Sequence, residues 1–301
     1  MIRKPTIIIT SLGRTATKFF AALFRDLIPN ATSLHEPDVF NFFQYEGTEE
    51  RLRQTIKQIQ EVGFYNLFIR KVLGSGSVIQ LSDARVRNQL KYEDAVRRLF
   101  KQRSSFVDSR EGSIYVESNA GYYGLIDVLR DVYAHHKVAH VVRDGRGWVR
   151  SKMNWGQMYN KGKVRGVFAH TWPAASEMDA DPYRSEWPTM SRFERICWAW
   201  VRLNGYALDT VRENPDARVF RFEDIFKSEN RYQHLAELVN FATDMPGVHP
   251  VPSEALDGWL DRRIHRSSGG FPAWPDWPPE QKQRFTEICG SLMEALGYNL
   301  D

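Results

Sequence analysis

Residues 6–18 read Thr-Ile-Ile-Ile-Thr-Ser-Leu-Gly-Arg-Thr-Ala-Thr-Lys, the pattern of a strand, a turn and the start of a helix. Positions 6–10 are β-branched without interruption. That is the pattern of a strand covered on both faces, as in a parallel sheet. Positions 11–17, Leu12 apart, are small or polar, the material of a turn. From 18 to 27, Phe19, Phe20, Leu23, Phe24 and Leu27 recur at helical spacing, and Pro29 and Asn30 stop the helix. The first turn of a helix has unpaired N–H groups and a partial positive charge. Small residues let an anion approach that backbone closely. Arg14, Thr15, Thr17 and Lys18 add side-chain donors, so a phosphate or sulfate would be well received. The same residues also suit a plain capped helix, with Thr15 or Thr17 giving the cap oxygen. The Walker pattern GxxxxGK[ST] is absent, for want of a second glycine and a Lys-Ser/Thr pair. That disfavours magnesium-dependent ATP hydrolysis.

Working outward, the patterning predicts helices at 49–61, 92–100, 122–133, 193–212, 232–241 and 280–296. It predicts strands at 113–118, 137–143 and 218–222, with a short one at 31–34. Alternating strands and helices predict an α/β fold: a three-layer sandwich with a central parallel sheet and a P-loop-like strand-turn-helix. The 301 residues suit one domain spanning 1–301. Residues 155–190, rich in glycine, proline and tryptophan, read as an insertion or lid over the sheet.

Composition bounds the function. Apolar residues make up 42% and charged residues 26%, as in a soluble globular protein. A net charge of +4, from 41 basic and 37 acidic residues, is too even to indicate nucleic acid. It leaves room for a small anionic ligand if basic residues converge on one cleft. Cys197 and Cys289 lie in apolar helix-like segments and read as buried thiols, which excludes a disulfide scaffold. No stretch approaches the ~20 apolar residues of a membrane span, and the N-terminal run falls short of the about 7–15 apolar residues of a secretory leader. A cytoplasmic protein is expected. His135, His136 and His140 lack metal-ligand spacing, and no metal is expected.

A second motif occupies 138–151: Val-Ala-His-Val-Val-Arg-Asp-Gly-Arg-Gly-Trp-Val-Arg-Ser. Arg143 falls at the end of a buried strand, where open α/β sheets face their ligand crevice. Its planar fork suits phosphate oxygens. Ser151, eight residues on, adds a hydroxyl from the following helix. The alternative is that Arg143 pairs with a local acid and Ser151 caps or packs.

In this order and spacing the two motifs resemble those of PAPS-dependent sulfotransferases, bacterial and carbohydrate-type members in particular. PAPS is 3′-phosphoadenosine 5′-phosphosulfate. The family's 5′-phosphosulfate loop reads Lys/Arg-Ser-Gly-Thr/Ser-Thr-Trp, and its 3′-phosphate site reads Arg-Asn/Asp-Pro-x-Asp-x-x-x-Ser. Here Ala16 replaces the glycine, Lys18 a hydroxyl residue, Gly145 the proline and Gly147 the aspartate. Residues 115–119, 221–225 and 295–298 are similar to further family segments, with Phe222 in place of a tyrosine. The resemblance implies PAPS as co-substrate, held by Arg14, Thr15, Ala16, Thr17, Lys18 and Phe19 at one end. Arg143, Ser151 and Arg266 would hold the other, though the turn carrying Arg266 also reads as a solvated basic turn. It implies sulfuryl transfer without a metal to a hydroxyl or amine of a small-molecule or carbohydrate acceptor. Arg14 would steady charge on the leaving oxygen. Glu36, in His-Glu-Pro at 35–37, would be the base, with His35 second; Glu36 also suits a structural ion pair. Two other readings stand beside this one: a nucleotide-dependent small-molecule kinase, and a non-catalytic nucleotide-binding relative.

Overall fold

The computed structural model describes residues 1–38, 47–63, 77–160, 172–262 and 269–299. Strand β1 (Thr6–Thr10) is buried at every position. It forms the middle of the sheet, as its unbroken β-branched run requires. It pairs in parallel with β3 (Ile114–Ser118) on one side and β4 (His136–Val142) on the other. Strand β2 (Ala31–His35) extends the sheet beyond β3, and β5 (Ala217–Arg221) beyond β4. The order is β2-β3-β1-β4-β5, all parallel, so the predicted α/β class holds. The helices in chain order are α1 (Thr17–Leu27), α2 (Thr48–Val62), α3 (Val78–Val86), α4 (Tyr92–Asp108), the single turn α5 (Leu129–Val132), α6 (Gly145–Trp155), α7 (Arg192–Arg212), α8 (Phe222–Phe226), α9 (Arg231–Thr243) and α10 (Pro279–Ala295).

Alternation along β1 feeds two cores. Ile7 and Ile9 meet Phe20, Leu23 and Phe24 of α1 and Leu235, Leu238 and Val239 of α9 on one face. Ile8 meets the opposite layer, which contains Leu99 of α4, Trp148 of α6, Trp200 of α7 and Phe285 of α10. This is the three-layer arrangement. Ala175, Met178, Trp187 and Met190 also enter the second core, so part of the 155–190 segment is packed into it.

The predicted helix at 122–133 is corrected to α5 alone. Residues 121–128 run as wholly buried turns. Gly121 and Gly124 cross α3 so closely that a Cβ would stand 2.9 Å from the Ile79 nitrogen at the first and 2.6 Å from the Ser82 carbonyl oxygen at the second. There the Gly121 carbonyl accepts from the Ser82 hydroxyl and the Leu125 N–H donates to the Tyr122 carbonyl at 2.9 Å, a turn bond in place of the helical one. Helix α3 itself was not expected; its N-terminus is a capping box in which the Ser77 N–H donates to Gln80 Oε1 at 2.8 Å. Among the described residues no helix is long and apolar enough to cross a membrane.

Because α1 leaves β1 onto one face and α6 leaves β4 onto the other, the sheet has its switch point between these two strands. A crevice at their carboxyl ends is where such sheets take ligands.

Candidate functional site

The turn after β1 is a run of left-handed residues: Gly13 at φ 73°, Arg14 at 62° and Ala16 at 60°. Glycine adopts this region freely, whereas Arg14 and Ala16 each cost about 1–2 kcal/mol. Turns of this kind gather successive N–H groups into an anion-binding concavity. Side chains from across the sheet hold the shape. Trp148 Nε1 donates to the Gly13 carbonyl at 3.0 Å, and Arg143 Nη1 donates to the Arg14 carbonyl at 2.7 Å. Helix α1 begins with no side-chain cap and no acid in its first turn. The Thr15 hydroxyl bonds to Ser11 Oγ instead, and Thr17 Oγ1 lies 3.0 Å from His35 Nε2. The capping role open to Thr15 and Thr17 is therefore filled by neither. The first-turn N–H groups of this helix keep their capacity for an anion.

The second motif meets the first. Arg14 Nε donates to Ser151 Oγ at 3.0 Å, joining the turn to α6. Asp144 does not pair with Arg143. It caps α6 by accepting from the Arg146 N–H at 2.8 Å, and it ion-pairs with the Arg146 guanidinium at 2.7 Å. The Arg143 guanidinium lies over the Phe222 ring, 4.9 Å from its centroid. Its Nε is buried without a hydrogen-bond partner among the described residues. Burial lowers the Arg143 pKa, Glu223 opposes that, and the neighbouring Arg14 charge adds to it. Gly147 leaves the room this guanidinium needs, since a Cβ there would stand 3.2 Å from Arg143 Nε. Glu223 Oε2 accepts from the Asp144 N–H at 3.1 Å and from the Tyr298 hydroxyl at 2.9 Å. Segments 221–225 and 295–298 thus close on the same corner.

Glu36 follows β2 with φ at 43°, its N–H donating to the Ser118 carbonyl at 3.0 Å. Among the described residues its carboxylate accepts no hydrogen bond. Its nearest charged-type neighbour is His35, whose Nε2 is 4.0 Å from Glu36 Oε1. Burial lowers the His35 pKa against the pull of Glu36, with Lys18 adding to the lowering. Asp38, two residues on, is anchored firmly. It accepts from the Val78 N–H at 2.7 Å and from Asn119 Nδ2 at 2.9 Å, and it faces Arg103 Nη2 at 3.3 Å. Arg103 in turn grips Glu117 through two bonds of 2.8 and 3.1 Å.

One residue that the sequence reading passed over stands at the centre. Lys152 is 3% exposed, and its Nζ lies 5.0, 4.9 and 5.0 Å from the ring centroids of Trp148, Trp155 and Trp172. A Cβ on Gly13 would be 3.6 Å from that nitrogen. Burial pushes the Lys152 pKa down to about 7, with Arg14 adding to the shift and Glu36 opposing it. Tryptophans four residues before and three after the lysine, on one helix face, were the available signal.

The remaining candidates are spread more widely. Lys18 is exposed on the first turn of α1. Phe19 belongs to the core, its ring 5.1 Å from Phe226 and 6.0 Å from Trp259. Arg266 lies outside the described residues. His140 is buried in β4, 3.4 Å from Asn204 Oδ1, and His136 lies 3.1 Å from Asn214 Nδ2.

No family model matches the sequence, and no curated protein does. Two solved structures are similar to the chain over nearly all of its length. One is described as the "Sulfotransferase Domain from the Curacin Biosynthetic Pathway": 17% identity, 99% of this chain and 100% of that one covered, TM-score 0.44. The other is a sulfotransferase from Alicyclobacillus acidocaldarius: 14% identity, 98% of this chain and 96% of that one covered, TM-score 0.41.

Proposed function

We propose that this chain is a PAPS-dependent sulfotransferase acting on a hydroxyl or amine of a small-molecule or carbohydrate acceptor. The observation that carries the reading is the Arg14–Ser151 contact of 3.0 Å, which unites two cationic motifs at the sheet's switch point. The uncapped start of α1 and the turn around Gly13 suit the 5′-phosphosulfate. Arg143, with its unpartnered Nε, and Ser151 suit the 3′-phosphate. Arg14 bridges the crevice between them, so donor entry exchanges its bond to Ser151 for anionic oxygens.

The chemistry balances with the side chains present. The acceptor oxygen or nitrogen forms a new bond to sulfur as the sulfur–oxygen bond to the 5′-phosphate breaks. The acceptor's proton passes to the Glu36 carboxylate, and the electron pair of the broken bond stays on the phosphate oxygen beside Arg14. Positioning and charge stabilisation carry most of such a transfer. Glu36 suits the base role because its carboxylate is not engaged by a fixed cation among the described residues. His35 orients Thr17 and lines the same corner.

The test is calorimetric binding of 3′,5′-ADP, the desulfated donor, against ATP, followed by transfer from PAPS over a panel of acceptor classes. The expected result is 3′,5′-ADP binding without magnesium and transfer to at least one class. Glu36→Gln should lower kcat by about 10²–10⁴-fold, the usual contribution of a general base. Preference for magnesium-ATP would turn the reading to a kinase, and an undiminished Glu36→Gln would remove the base assignment.

A further inference from the structure

Lys152 belongs to neither motif, and its surroundings are unusual for a structural lysine. At 3% exposure it is as buried as the core, yet among the described residues its Nζ forms no hydrogen bond and no ion pair. Buried ammonium groups are ordinarily matched by a carboxylate or by several acceptors. Here three indole faces surround it instead. Indole faces attract a cation but bring no counter-charge and no hydrogen-bond acceptor. The amine reaches toward the place left open by the missing side chain of Gly13, where a Cβ would come to 3.6 Å. That place adjoins the concavity of the turn. Among the described residues, the charged groups that act on it are Arg14 from the turn and Glu36 from the end of β2, one of each sign.

Building on the sulfuryl-transfer reading above, we propose that Lys152 is a catalytic residue whose Nζ donates a hydrogen bond to the sulfuryl group of the donor seated against Gly13. A buried amine next to Arg14 is held partly neutral at neutral pH, and an arriving anion restores its charge. Donor binding therefore draws a proton onto Lys152. The ammonium then adds positive charge to the sulfuryl oxygens while the sulfur–oxygen bond to the leaving phosphate lengthens. The tryptophan cage excludes water from one side of the amine and keeps it from turning toward solvent.

Lys152→Met tests this with readouts beyond activity. Exchanging a lone buried charge for an apolar side chain of similar length leaves the melting temperature unchanged or raises it. Affinity for 3′,5′-ADP, which has no sulfuryl group, changes less than about threefold, while kcat for transfer from PAPS falls by about 10²–10³-fold, as when an oxyanion donor is removed. Calorimetry at pH 8 in buffers of different ionisation heat shows the wild type taking up about one proton on binding PAPS, and the variant taking up correspondingly less. A variant that melts several degrees lower and loses 3′,5′-ADP binding would make Lys152 a packing residue and overturn the proposal, as would a variant with full turnover. If the wild type transfers sulfuryl and Lys152→Met equals it, this inference alone fails. If the wild type neither binds 3′,5′-ADP nor transfers, the functional reading fails with it.

Discussion

Arg103 and Lys152 are buried to nearly the same depth, at 2% and 3% exposure, and their surroundings are opposite. Arg103 sits behind the sheet end with Glu117 and Tyr122 as hydrogen-bond partners and Asp38 at 3.3 Å. Glu117 is further satisfied by the Tyr115 hydroxyl at 2.7 Å and by Asn119 Nδ2 at 2.8 Å. Every charge there has its opposite within the fold. Lys152 has a cage of rings and an opening. A buried ion that the chain itself neutralises serves the architecture, and this one ties the segment after Glu36 to β3 and α4. A buried ion with no carboxylate in hydrogen-bonding contact is costly in the free protein, and an anion from outside is what relieves it.

That contrast can be broken in three further ways. The largest effect belongs to Arg103→Leu, which strands the Glu117 carboxylate in the core. It should cost about 3–5 kcal/mol in urea unfolding, as when one partner of a buried pair is removed. A variant of undiminished stability would erase the distinction between the two cations. The second test uses pH. The folded pKa of Lys152 lies below its unfolded value, so between about 7 and the ordinary lysine range the unfolded chain binds more protons. Below that window both states carry the proton and the burial penalty is present in full. Through it, wild-type stability relative to Lys152→Met should rise, with a slope of up to about 1.4 kcal/mol per pH unit. The Arg103 guanidinium keeps its proton throughout and should contribute no such slope. The smallest effect sharpens the picture of the turn. Ala16→Gly relieves a left-handed alanine and should stabilise the fold by about 1 kcal/mol, read from the shift in denaturation midpoint. No gain would mean that the turn relaxes in solution.

Much of this was legible in the chain itself. Strand β1 runs over the residues its β-branched run marks, because a central parallel strand needs both faces apolar. The meeting of Arg14 with Ser151 follows from that topology once both motifs sit at strand ends. Local patterning failed where distant backbone intrudes. Residues 122–133 have helical apolar spacing, yet Gly121 and Gly124 press onto α3, and no periodicity reports a partner 42 residues away. Phe19 followed the motif in sequence, but the face of α1 that carries it turns into the core. Lys152 was hidden for a similar reason. Trp148 and Trp155 flank it on α6, but Trp172 comes from another segment, and a lysine with two helical tryptophan neighbours reads as an exposed amphipathic position until the third ring closes over it.

The two bonds that grip the turn from behind, from Trp148 to the Gly13 carbonyl and from Arg143 to the Arg14 carbonyl, have a consequence for engineering. They suspend the loop by its oxygens, while the Gly13 N–H donates inward to Ser11 Oγ at 3.1 Å. Residues 11–18 are therefore not a portable cassette. Moved alone into another parallel sheet, they would carry the letters of the loop without the scaffold that shapes it, and a working graft would have to bring the end of β4 and the first turns of α6 along.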